Sequence, residues 1–277
     1  MAVSAGARGA ATGNALDSEP MAQNVDLGSP HIVATITDRV LQVRIDRVEK
    51  RNAMRQDMYR GVKRAAIRAD GDPNIVAMCL TGTGDVFASG GDMSRSGAVD
   101  PTLAAEHDST DHFPFRHLER CRKPVFAAVN GICHAGGLNM VLYSDFSIAT
   151  DKATFRAPEL LRGMPDPYIA ARLSDYVGIG NARWLLFTAA VVDAHEARAM
   201  GLISRVVPDA EFAAAVDETI EQLKRLAPRT TSSIKDDITR GLRQPDVRIF
   251  QRSVMSPEMV EGMQAFVEKR DPVWPRD

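Results

Sequence analysis

Hydrophobic residues recur along this chain with two periods, and the changes of period mark its elements. Ile32–Thr37 and Val40–Asp46 read as strands, the second alternating Val43 and Ile45 with Arg44 and Asp46. Glu49–Ala53 is polar and turn-like. Met54, Met58, Val62 and Ala66 then form the stripe of a helix, which the D-G-D-P-N stretch at Asp70–Asn74 ends. Ile75–Leu80 and Val125–Val129 are short unbroken apolar runs, the pattern of buried strands. A glycine-bearing turn follows each. The first is T-G-T-G-D-V-F-A-S-G-G-D at Thr81–Asp92. The second passes through Asn130-Gly131 to Ala135-Gly136-Gly137 and then into an apolar helix start at Leu138, Met140, Val141 and Leu142.

Ser94–Asp111 is polar and irregular, a helix or a loop, and His112–Arg122 reads as helical. Phe146–Ala149 is a further strand and Ala153–Pro158 is extended. Glu159–Gly163 turns towards Pro165-Asp166-Pro167. Helices are expected over Tyr168–Val177, Ala182–Thr188 and Ala194–Met200, the last closed by Gly201, before a strand at Ile203–Val207. From Asp209 only helices are predicted: Asp209–Leu226, Thr230–Gly241 and Pro257–Arg270. The pattern divides the chain into an α/β core over 31–208 and a helical region over 209–277. Residues 1–30 are rich in Ala, Gly, Ser, Asn and Asp and read as a disordered extension.

Composition narrows the function classes. A formal net charge of −2 gives no broad basic surface for nucleic acid. No apolar run is long enough to span a bilayer, so no membrane partner is expected. Cys79, Cys121 and Cys133 are odd in number and lack metal-ligand spacing, which points to reduced thiols and a cytoplasmic location. His107, His112 and His117 are spaced so that they do not share a helix face, and no metal site is expected there. No G-x-S-x-G, H-E-x-x-H, P-loop or Rossmann fingerprint is present.

What remains is a strand, a glycine turn and a helix N-terminus at Pro124–Asp145, and an earlier turn at Ser89-Gly90-Gly91-Asp92. Such turns present free backbone N–H groups to a phosphate, a carboxylate or a carbonyl oxygen acquiring negative charge. Two acids follow. Glu159 lies in an otherwise apolar A-P-E-L-L context and Asp166 between two prolines, positions that also suit a helix cap and a turn former.

Several stretches resemble the enoyl-CoA hydratase/isomerase (crotonase) superfamily in family order. They are R-V-E-K-R-N-A-M at Arg47–Met54, F-A-S-G-G-D at Phe87–Asp92, the stretch Lys123–Gly137, S-D-F-S-I-A-T, A-P-E-L, Asp193–Pro208 and Glu261–Pro272. The resemblance implies an α/β spiral of strand–strand–helix units with a C-terminal helical trimerisation region, and hence a homotrimer or hexamer. It implies an acyl-CoA thioester substrate, with coenzyme A as part of that substrate and no separate cofactor. By the same resemblance the N–H groups of Gly91 and Gly136 form an oxyanion hole, and Arg51, Ala53, Ser89, Gly90, Asp92 and Lys269 line the CoA site. Hydratases of the family carry two glutamates; here the first position is Asn139, which does not exchange a proton near neutral pH. Glu159 is then the main proton-transfer residue and Asp166 its partner, and double-bond isomerisation is favoured over hydration. A hydrolase or C–C lyase on the same scaffold, or a degenerate acyl-CoA-binding protein, are the alternatives.

Overall fold

The computed structural model describes residues 22–93, 113–254 and 256–275. Eleven strands in these segments form two sheets. The larger runs in the order β1 (Gln23–Asn24), β2 (Ile32–Thr37), β3 (Val40–Ile45), β4 (Ala77–Gly82), β6 (Val125–Val129), β8 (Phe146–Thr150), β11 (Arg205–Val207). β1 to β3 are antiparallel neighbours, and from β3 onward the pairing is parallel. The smaller sheet is β10 (Val192–Asp193), β9 (Thr154–Arg156), β7 (Ile132–His134) and β5 (Val86–Ala88). Each turn of the chain therefore delivers one strand to the large sheet and the next to the small one: β4 then β5, β6 then β7, β8 then β9. A helix brings the chain back after each of the last two pairs, α3 (Gly136–Leu142) after β7 and α4 (Pro167–Thr188) after β9. This is the strand–strand–helix spiral that the sequence resemblance implies.

The unbroken apolar runs are explained by a large sheet covered on both faces. Met78 and Leu80 of β4, and Val125, Ala127 and Val129 of β6, point into the main core with α1 (Gln56–Gly71). Cys79, Phe126 and Ala128 point the other way, against Ile220 and Leu223 of α6 (Phe212–Lys224). The corners between sheets are tight. A Cβ on Gly131 would lie 1.8 Å from the carbonyl oxygen of Asp85, so only glycine fits there. Asn130 fastens the same corner, its side chain accepting from Gly82 N–H at 3.0 Å and donating to the Gly84 carbonyl at 2.8 Å.

Some expectations change and others hold. Residues 22–30, assigned to a disordered extension, are ordered: Gln23 and Asn24 pair with β2, and Leu27 is buried. The two helices expected over 168–188 are both present within α4, parted by a kink at Gly178, whose φ of 73° and ψ of 160° are not helical. Short β7 and α8 (Val247–Ser253) were not anticipated, because each offers too few residues to establish a period. The helix expected over His112–Arg122 is α2, Phe115–Arg120. Between α4 and α6 lies α5 (Ala194–Met200), closed by Gly201 at φ 86°, and α7 (Pro228–Arg240) and α9 (Pro257–Glu268) complete the helical region. The whole of the Ser94–Asp111 segment, with His107, and the adjoining His112 fall outside the described residues. All three cysteines are free and buried. Among the described residues no helix is long and apolar enough to cross a membrane, and no cluster of metal-ligating side chains occurs.

Candidate active site

One cavity of about 1180 Å³ opens between the glycine turns, the segment after β9, and helices α8 and α9. Every residue singled out from the sequence lines it: Arg51, Ala53, Ser89, Gly90, Gly91, Asp92, Gly136, Asn139, Glu159, Asp166 and Lys269. They come from positions more than two hundred residues apart, and the spiral is what brings them together.

The first wall is held by Arg47. Its guanidinium donates to the Ala53 carbonyl at 2.8 Å and pairs with the Asp92 carboxylate at 2.7 Å, both side chains being nearly buried. The Asp92 carboxylate is thus held by Arg47 in the wall of the cavity that Asp92 lines. Asn52 is fully buried at φ 53°; it accepts from Arg47 N–H at 2.9 Å and donates to the Val86 carbonyl at 2.6 Å. The left-handed turn at Arg51 and Asn52 presents Arg51 and Ala53 to the cavity. Asn52 escaped the sequence reading, although asparagine is among the few residues that tolerate this conformation.

Backbone geometry aims the Gly91 N–H. Gly91 makes a single parallel bridge to Met54, in which Met54 N–H donates to the Gly90 carbonyl and Asp92 N–H donates to the Met54 carbonyl. Such a bridge uses the flanking residues' groups and leaves the central residue's N–H pointing away from the strand. The second N–H, that of Gly136, opens α3, whose first turn has no side-chain cap. Ala135, just before it, has φ 53° and ψ −122°, a strained conformation for a residue with a Cβ, costing about 1–3 kcal/mol. The strain is held by the Ala135 N–H donating to the Arg156 carbonyl at 3.0 Å, where β7 runs beside β9. The two turns abut: a Cβ on Gly90, itself at φ 109°, would lie 2.8 Å from that of Ala135.

Two carboxyls and one amide face the turns. Glu159 sits on a short 3-10 turn over Glu159–Arg162 and is 7% exposed. Its Oε2 is buried with no hydrogen-bond partner in the structure, and burial, reinforced by the charge of Asp166, raises its pKa to about 8. Arg162 and Arg156 pull it down more weakly. Asp166 caps α4: Oδ1 accepts from the N–H groups of Tyr168 at 2.8 Å and Ile169 at 3.1 Å. Its Oδ2 accepts from the Asn139 amide at 2.6 Å. Burial raises the Asp166 pKa, and these donors oppose the rise. The Asn139 amide nitrogen is therefore taken, and its Oδ1 is left buried without a partner. Asp166, which the sequence offers as a turn former, is the cap of α4, and it lines the same cavity as Glu159.

Other residues lining the cavity were not singled out beforehand. Tyr59 of α1 enters beside Gly136, and Phe250, Met259 and Phe266 come from α8 and α9. Arg162 lies over the Phe266 ring at 4.4 Å. His134, on β7, lines the cavity too; burial and the charges of Arg156, Arg51 and Arg162 depress its pKa to about 4, so it is neutral at physiological pH.

A spiral of strand–strand–helix turns thus brings two glycine turns and a buried carboxyl to one cavity. The chain belongs to the enoyl-CoA hydratase/isomerase family, whose sequence model matches residues 35–277. It is 32% identical over 246 residues to a probable enoyl-CoA hydratase, echA8, of Mycobacterium leprae, covering 84% of this chain and 93% of that protein. It is 30% identical to the crotonyl-CoA hydratase of Syntrophomonas wolfei, covering 87% of this chain and 96% of that one. The crystal structure of an enoyl-CoA hydratase/isomerase from Pseudoalteromonas atlantica superposes with a TM-score of 0.80 at 29% identity, covering 88% of this chain and all of that one.

Proposed function

We propose that this enzyme acts on an acyl-CoA thioester through an enolate whose oxygen is held by the N–H groups of Gly91 and Gly136, and that it moves a double bond along the acyl chain. The observation that carries the reading is the buried carboxyl of Glu159, whose Oε2 has no hydrogen-bond partner, in a cavity where Asn139 stands at the position of the first glutamate of the family's hydratases. In a 3-enoyl thioester, the Glu159 carboxylate takes a proton from the carbon beside the carbonyl. Electrons flow into the thioester oxygen to give a dienolate, and the same carboxyl returns the proton at the far end. One base suffices because the proton taken is the proton given back. Asp166 keeps its own oxygens engaged with α4 and Asn139 and acts on Glu159 through its charge. Arg51 and Lys269 stand at the cavity wall as cations for the CoA phosphates, and Ala53, Ser89 and Gly90 line the path of its pantetheine arm.

Hydration is the second reading, favoured by the names of the relatives and by the presence of two carboxyls, Glu159 and Asp166, in one cavity. Turnover on 2-enoyl, 3-enoyl and 3,5-dienoyl-CoA esters separates the two. Rates on crotonyl-CoA of about 10 per second or more, with no isomerisation of the others, would overturn the first reading. The helical region, with Ile234 and Ile238 of α7 exposed, supports assembly as a homotrimer or hexamer. A stable monomer in sedimentation velocity at micromolar concentration would refute that part.

A further inference from the structure

A second cavity, of about 460 Å³, adjoins the first between α1, α2 and the start of α8. Phe113 and Tyr168 line both, their rings meeting edge-on at 5.7 Å, so one aromatic wall divides the two spaces. The volume falls within the range of small-molecule sites, about 300–1,000 Å³. Ala66 and Ile67 of α1, with Val247 of α8, add apolar surface to those rings.

The charged groups lining this cavity differ in what already holds them. Asp70 is engaged: Arg122 donates to both of its carboxylate oxygens, at 2.8 and 2.9 Å, and holds its pKa below the ordinary value. Arg116 and Arg120 stand one turn apart on a single face of α2, and among the described residues neither has an ion pair. Arg116 gives one long bond from Nη2 to the Gln244 side chain at 3.3 Å, and its Nε is buried with no partner. A buried donor left unused is uncommon in a folded protein and marks a place where a partner is missing.

We propose that this cavity binds a monocarboxylic acid with an apolar chain, its carboxylate held by Arg116 and Arg120 and its chain lying against the Phe113–Tyr168 wall. A guanidinium presents parallel N–H groups that match the two oxygens of a carboxylate. The apolar floor rewards a hydrocarbon chain, which an inorganic anion lacks. Because the wall separates the spaces, the acid and an acyl-CoA bind to one chain at the same time.

Sodium octanoate is the probe, titrated by calorimetry into the full chain, alone and saturated with butyryl-CoA. One octanoate per chain should bind in the presence of butyryl-CoA. Octanol, the same chain without the charge, should bind more weakly. Arg116→Met should weaken octanoate about tenfold or more, as expected for losing a charge-assisted bond. Ile67→Trp, made on the solvent-facing side of α1, fills the cavity and should abolish octanoate binding while turnover of the preferred enoyl ester is unchanged. Displacement of octanoate by butyryl-CoA would put it in the first cavity and overturn the proposal. So would absence of binding at millimolar octanoate, equal binding of octanol, or unaltered affinity in Arg116→Met and Ile67→Trp. The two variants report on the acid site whether or not the enolate reading of the first cavity stands.

Discussion

Replacing Asp166 by Asn tests whether the charge of one buried carboxyl sets the working pH of the other. Glu159 stands at about 8 because of burial first and Asp166 second. A like charge within about 10 Å contributes roughly 1.7 kcal/mol at an effective dielectric near 20, or about one pH unit. The substitution spares the rest of the site. Asn keeps an oxygen for the N–H groups of Tyr168 and Ile169, so α4 stays capped. The unpartnered Oδ1 of Asn139 can turn to accept the new amide. If the Glu159 carboxylate is the base, kcat/KM rises with pH to a plateau through its pKa. Stopped-flow measurement of 3-enoyl-CoA isomerisation between pH 5.5 and 10 should place that midpoint near 8 in the unmodified enzyme. In Asp166→Asn it should fall by about one unit. A midpoint that stays put or climbs would refute the electrostatic argument.

Glu159→Gln should remove nearly all turnover while acyl-CoA binding, followed by calorimetry, stays within a few-fold. It should also change the pH dependence of stability. The folded pKa of about 8 exceeds the ordinary 4.5, so the native state holds a proton that the unfolded chain releases. Stability attributable to Glu159 is then lost as pH rises through that window, and the variant's melting temperature should gain on the unmodified protein between pH 5 and pH 8.5; a constant difference would contradict the raised pKa. Asn139→Glu supplies a second titratable group and should raise water addition to crotonyl-CoA at least tenfold; no rise would show that the amide is not what limits hydration. Gly131→Ala should cost several kcal/mol in denaturant unfolding, because the new methyl would meet the Asp85 carbonyl at 1.8 Å; a loss below about 1 kcal/mol would mean that the corner relaxes freely.

The larger sheet and the order of the catalytic elements were legible because buried strands with glycine turns leave a strong local pattern. Val125–Val129 and Ile75–Leu80 are the clearest cases. Of the eleven residues traced to the cavity, the glycine turns, Glu159 and Asp166 stand out locally, whereas Arg51 and Lys269 were legible only through resemblance, since nothing local says that they share a cavity. What escaped was three-dimensional commitment. The sequence does not show that Arg47 holds the Asp92 carboxylate, nor that Asp166, read as a turn former or a partner of Glu159, caps α4 and accepts from Asn139. The residues at 22–30 ordered because β2 offers an edge to pair with, a condition their polar composition does not encode.

Helix α9 sets the order in which the site can come into being. Gly262 packs against the backbone of Arg162, and Gly163 against that of Glu258, so closely that a methyl group on either glycine would collide. The last helix of the chain is thereby clamped onto the turn that carries Glu159. Strands β2 to β9 all precede it, so a nascent chain still on the ribosome can complete both sheets and seat both glycine turns while the cavity stands open on one side. The cavity becomes enclosed only once α9 has been made, and a chain stopped short of residue 257 would lack that wall.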